Sequence, residues 1–225
     1  MVLFSLAAAP ARAEVGLSAS LSSDIRYRGL SFTDGRAGLR LTATYDHPSG
    51  VYAGLSALGS ATGHDGVQVL GYQANLGYAG RTARGASWDV GVSNFDVTTH
   101  TYNRYRNQYA EAYAGFSSRN VSAHVYYSPN YFGGRVDTVY VDLSGTLRPS
   151  ETWSLIGHVG SFTLLNPLPG FAGRKTRYDL KLGVAAKLKS SEVQLAWTSL
   201  PQGTNYPPGQ PQKRNALVLS ATYFF

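Results

Sequence analysis

The chain has 225 residues, no cysteine, and charged side chains at only 15% of its positions, so it carries neither a disulfide frame nor a thiolate site. Its formal net charge of +7 is scattered over loops, turns and alternate positions. Nucleic-acid binders usually gather their basic residues on one helix or patch, so this dispersal argues against nucleic acid as a partner.

Residues 1–13, MVLFSLAAAPARA, read as the end of a secretory signal peptide, truncated at its start because no basic residue precedes the apolar run. Residues 14–225 read as one domain, since all-β barrels of this length often form single units. No later stretch of about 18 apolar residues exists, which excludes an ordinary transmembrane helix.

About twelve runs of period-2 alternation follow, bounded by turn residues. They lie near residues 15–27, 37–46, 51–59, 67–78, 87–96, 108–117, 120–128, 136–147, 152–161, 176–188, 191–199 and 214–225. Their connectors alternate in length. HPSG, AGRTARGA, SSRN, RPSE and KSSE are short, whereas RGLSFTDGRA, GSATGHDG, THTYNRYRN, PNYFGGR, FTLLNPLPGFAGRK and LPQGTNYPPGQPQKR are longer. One rim of tight turns and one of long loops is the anatomy of a transmembrane, antiparallel, up-and-down β-barrel with short periplasmic turns and longer extracellular loops.

Alternation alone does not say which face is inside, because soluble lipocalin-like barrels alternate too. One face collects Arg40, Thr42, Thr44, Asp46, Gln73, Asn75, Glu111, His124, Asp142, Arg177, Asp179, Lys181, Lys187, Glu192 and Gln194, too polar for a protein core. The other carries Leu39, Leu41, Val121, Val125, Val139, Val141, Leu143, Leu180, Leu182, Val184, Leu217 and Leu219. Aromatic residues on the apolar face sit at strand ends. Tyr45, Tyr78, Trp88, Phe116, Trp153, Tyr223 and Phe225 fall at the short-turn rim, and Tyr27, Tyr109, Tyr127, Tyr178 and Trp197 at the long-loop rim. Two such belts are the interfacial girdles of an outer-membrane barrel, with the apolar face toward lipid. On this reading the first strand rises through the membrane over residues 15–27. Asp24, Arg26 and Arg28 then face a wet lumen, and GLSFTDGR turns the chain over at the outer rim.

The segment SSDIRYRGLSFTDGR, followed by YDHPSGVYAGLSALGS, resembles the start of the TorF family of porin-like proteins, a proteobacterial outer-membrane family largely of unknown function. The resemblance rests on Ser23, Asp24, Tyr27, Arg28, Gly29, Ser31, Thr33, Asp34 and Gly35, then Tyr45, Ser49, Gly50, Tyr52, Ala53 and Gly54, about the first quarter of the chain. It implies a pore, with an amide, usually Gln, where Arg40 stands.

A barrel of about twelve strands lies between side-chain-filled eight-stranded barrels and open sixteen-stranded porins. The expected function is therefore an outer-membrane porin for passive diffusion of small polar solutes or ions through a narrow charged lumen. Its pore-lining candidates are Asp24, Arg26, Arg28, Arg40, Glu111, Asp142, Arg177, Asp179 and Lys181, since charges at a constriction set selectivity. Each of them also has a plainer reading as a structural ion pair between strands. Basic residues of the long loops, Arg104, Arg106, Arg135, Arg174, Lys175, Lys213 and Arg214, could steer anionic solutes, but suit better the lipopolysaccharide phosphates of the surrounding outer-membrane lipid. Phe225 is the expected signal to the barrel assembly machinery.

Two other classes compete. An outer-membrane lipid hydrolase needs a nucleophile and base within reach, and the sequence offers none: His158 and Ser161 fall on opposite faces, while His124 and Ser122 share a lumenal one. His124 and His158 lie two strands apart without a third metal ligand, so no catalytic residue, metal or cofactor is expected. A scaffold or adhesin would use the Pro-rich stretches LNPLPGFAG and NYPPGQPQ, which suit either a binding surface or a plug over the mouth.

Overall fold

A computed structural model describes residues 13–61, 66–98, 106–131, 136–166, 174–200 and 214–225. The signal-peptide reading of 1–13 and most of both Pro-rich stretches fall outside the described residues. Among the described residues there is no helix.

Twelve strands close into an antiparallel barrel: β1 (Glu14–Ser22), β4 (Gly38–Asp46), β5 (Val51–Ala61), β6 (Val67–Arg81), β7 (Ser87–Thr98), β8 (Arg106–Ser117), β9 (Val121–Tyr131), β10 (Val136–Leu147), β11 (Trp153–Leu164), β12 (Thr176–Leu188), β13 (Ser191–Ser199) and β14 (Asn215–Phe224). Each pairs with its sequence neighbour, and β1 closes the ring on β14 from Ser18↔Phe224 to Ser22↔Ser220. Closure leaves no free sheet edge. A two-stranded hairpin, β2 (Arg26–Tyr27) with β3 (Leu30–Ser31), is separate from the barrel sheet.

The apolar face points outward. Leu41, Val141, Leu143, Leu182, Leu217 and Leu219 are exposed, while Glu111, His124, Arg177 and Asp179 are buried inside. Parity breaks on β9, between Ser128 and Tyr131, and on β6. Val67 and Val69 point outward, then Leu70 turns in and Tyr72, Leu76 and Tyr78 point out again. A bulge puts the flip there: Leu58 faces Gly71 and Gly59 faces Val69, so Leu70 is the extra residue. Only glycine fits at 71, where φ is +148° and a Cβ would collide with the Asp96 carbonyl.

Both aromatic belts are present, with two corrections. Tyr45, Tyr78, Trp88, Phe116, Trp153, Tyr223 and Phe225 are exposed near the short turns, and Tyr127, Tyr178 and Trp197 near the long loops. Tyr109 is buried inside, because it shares the parity of Glu111. Tyr27 also lies inside, its ring stacked on Phe95 at 5.0 Å.

Tyr27 is displaced because the first strand stops early. β1 ends at Ser22, and the expected ascent through residue 27 does not occur. Instead residues 24–33 fold back into the bore. Ile25, Leu30 and Phe32 are buried, and with inward-facing Leu58, Leu70, Phe95, Val97, Tyr109, Tyr131, Tyr140 and Phe162 they line the long-loop half of the barrel. Burying each of the three loop side chains contributes about 1.5–3 kcal/mol relative to leaving it exposed.

Candidate functional site

The hairpin holds its shape through Asp24. The Asp24 carboxylate accepts bonds from Arg26 Nε at 2.7 Å, from Thr33 Oγ1 at 2.9 Å, and from the Ser31 hydroxyl. Arg26 Nη1 also donates to the Gly29 carbonyl at 3.1 Å. Asp24 and Arg26 thus brace the loop internally and do not stand on the barrel wall.

At the tip, Arg28 and Gly29 link Tyr27 to Leu30. Both have positive φ, 49° and 78°, as a two-residue type I′ turn requires. Glycine takes this conformation freely, but arginine does so at a cost. The offset comes from where the side chain goes.

Five strands lie between β1 and β9 in either direction around the barrel, so β9 stands diametrically opposite. Arg28 reaches that far wall. Its Nη2 donates to both oxygens of Glu111 on β8, at 2.8 and 2.9 Å, and only 4% and 3% of the two side chains are accessible. Three rings surround the guanidinium: its carbon lies 4.2 Å from the Tyr140 centroid, 4.9 Å from Tyr27 and 5.0 Å from Tyr126. Ser93 Oγ also donates to Glu111, at 3.2 Å. A buried carboxylate with this many donors avoids the penalty of an unpaired charge.

Beside this contact lies a second cluster. The His158 imidazole on β11 sits between carboxylates of β10 and β12, with Asp142 Oδ2 3.4 Å from Nδ1 and Asp179 Oδ1 2.8 Å from Nε2. Tyr140 OH lies 3.1 Å from Nε2, joining the cluster to the aromatic cage. Ser144 Oγ is 3.0 Å from Nδ1, so a hydroxyl and an imidazole are within reach after all. The reason is cross-strand register, Ser144↔His158, which spacing along one strand does not show. Ser144 donates its proton to Asp142 at 3.0 Å. Toward the short turns, His124 meets Asp89 at 3.2 Å, and Tyr52 OH donates to Asp89 at 2.9 Å while touching Tyr113 OH at 2.7 Å.

Of the remaining candidates, Arg177 stacks over Phe162 at 4.2 Å. Lys181 is half-buried, opposite His158 on one side and Thr198 on the other. Arg40 is half-buried on β4, opposite Ser20 and Leu58. Glu111, Asp142 and Asp179 therefore join real clusters. Tyr126, Tyr140, Ser93 and Asp89 belong to the site without having been singled out. Tyr140 shares the inward parity of Asp142, and that signal was available. Among the described residues no group of three or more His, Asp or Glu side chains is placed to hold a metal. Of the basic loop residues, Arg106 pairs with Asp96 at 2.6 and 2.8 Å, Arg174, Lys175 and Arg214 are exposed, and Arg104, Arg135 and Lys213 lie outside the described residues.

Among solved structures, the NanC porin has a similar fold, with a TM-score of 0.60 at 9% sequence identity over 93% of this chain and 99% of that one. CdiB from Acinetobacter baumannii has a TM-score of 0.39 at 10% identity, covering 95% of this chain and 60% of its own. No curated protein sequence matches. The family model Gcw_chp, described as a bacterial protein of unknown function, matches residues 7–205, and the chain belongs to that family.

Proposed function

We propose that this protein is an outer-membrane channel for passive diffusion of small polar solutes or ions, narrowed by its own first loop. The observation that carries this reading is the inverted barrel. Leu182 is 60% exposed at mid-strand, while Asp179, three residues earlier on β12, is 3% exposed inside. A band of exposed Leu and Val between two aromatic belts fits a hydrocarbon slab, and charges facing inward fit a bore. The porin-like fold and the resemblance of residues 22–36 to the TorF family support the same reading.

In that setting the exposed Arg174, Lys175 and Arg214 would meet lipopolysaccharide phosphates, and Phe225, 78% exposed, would present the terminus to the assembly machinery. We read the protein as non-enzymatic, since Ser144 already gives its proton to Asp142 in the middle of the barrel.

The hairpin across the bore favours a second reading, a closed barrel serving as a scaffold. Recordings in planar bilayers separate the two. Single-channel steps with a non-zero reversal potential in a salt gradient are expected. Refolded protein that stays silent, both as wild type and with residues 24–36 replaced by a short Gly-Ser turn, would overturn the channel in favour of the scaffold.

A further inference from the structure

The contact between Arg28 and the far wall has the form of a ligand in a site. We propose that Tyr126, Tyr140 and Glu111 form a binding site for guanidinium-bearing solutes in the bore, occupied in this structure by the protein's own Arg28. The proposal rests on the channel reading for the route by which a solute arrives, but not for the site itself.

Three observations carry it. The first is the chemistry of the wall. Two rings from β9 and β10 approach one cation at 5.0 and 4.2 Å, and a carboxylate on β8 accepts two bonds from it. Aromatic faces with an acceptor at the side are the arrangement that selects weakly hydrated organic cations over sodium.

The second is that these three wall residues belong to the barrel, whereas the cation belongs to a hairpin outside the barrel sheet. Tyr140 faces Tyr126 across β10 and β9, and Glu111 stands on the next strand, β8, one residue from the pair Ala112↔Tyr127. The hairpin carrying Arg28 pairs only with itself in sheet terms. Withdrawal of the loop would leave a formed cage with its acceptor exposed to the bore.

The third is the local backbone. Arg28 occupies the left-handed region, at φ 49°, where Asn or Gly is the ordinary choice before Gly29. A residue placed against its own conformational preference marks a function more often than a packing need. The Arg28 guanidinium supplies the counter-charge that buried Glu111 requires. A loop meant to compete with a solute would carry that solute's own head group.

The test uses the full barrel in detergent and methylguanidinium chloride as probe, with sodium chloride at matched ionic strength as control. Arg28→Ala empties the cage, and calorimetry should then show saturable methylguanidinium binding. Adding Glu111→Gln or Tyr140→Leu to Arg28→Ala should weaken that binding about tenfold or more. In wild type the same probe should bind more weakly, by the fraction of time the loop is withdrawn. No saturable binding to folded Arg28→Ala, or binding that ignores both wall substitutions, would overturn the site. Tetramethylammonium binding as tightly as methylguanidinium would overturn the guanidinium class. If Arg28→Ala does not fold, the wild-type near-ultraviolet circular dichroism of the tyrosines takes its place. That signal should saturate with methylguanidinium and not with sodium, and a flat titration overturns the proposal. A barrel that binds the probe but never conducts removes the channel and leaves the site. One that conducts without binding does the reverse.

Discussion

The two halves of the bore differ completely in chemistry. Near the long loops, Ile25 and Phe32 of the first loop pack on Leu58, Leu70, Phe95, Val97 and Tyr131. Their rings run in a chain: Phe32 to Phe95 at 5.6 Å, Phe95 to Tyr109 at 5.2 Å, Tyr109 to Tyr131 at 4.3 Å and Tyr131 to Phe162 at 4.8 Å. Near the short turns, Tyr52, Asp89, Tyr113 and His124 form a hydrogen-bonded network instead. Alternation along a strand decides inside from outside. It does not decide wet from dry, because dryness depends on whether a loop returns. At the boundary between the halves, Arg28 meets Glu111.

The largest effect should come from the dry half. Phe32→Ala removes the ring at the centre of the loop's packing and should cost about 3–5 kcal/mol of loop docking. Hydrogen exchange at residues 24–36 reads that loss; protection equal to wild type would mean the upper half is not a packed core. The lipid face calibrates the scale. Leu182→Arg should cost about 2–4 kcal/mol in refolding into vesicles, whereas Thr42→Arg, on the inner face, should cost about 1 kcal/mol or less. Similar losses would mean the faces are exchanged. In the polar half, Asp89→Asn weakens bonds from Tyr52 and His124 and should cost about 1.5–3 kcal/mol without disturbing the loop. Altered exchange at residues 24–36 in that variant would merge the two halves into one unit. The smallest change is electrical. Arg40→Glu should shift the reversal potential toward cations without loss of stability, and an unchanged potential removes Arg40 from the conduction path.

Much of the barrel was legible because its signals are local. Turn residues and period-2 runs bound β4, β10, β12 and β13 to within a residue or so of their observed ends. Gly71 shows where locality fails. Its bulge exchanges the faces of β6 between Val69 and Tyr72, and a lone glycine marks such a bulge without fixing its register. The first loop escapes a sequence reading for a related reason. Ile25 and Tyr27 continue the apolar rhythm of Leu17 and Leu21, so a strand and an inward hairpin look alike until Arg28-Gly29 is recognised as a turn. The charged residues of the site were identifiable as inward-facing. Their partnerships were not, since Arg28 and Glu111 are 83 positions apart and meet only because the barrel closes.

The first loop lies inside the bore, and the absence of native cysteine allows a direct test of that placement. Ser31→Cys and Arg36→Cys place thiols five positions apart in that loop, the first at a site 4% exposed and the second at an exposed one. A membrane-impermeant maleimide should label position 36 at once and position 31 orders of magnitude more slowly in the folded barrel. Equal labelling rates would place the loop outside the bore and contradict the account.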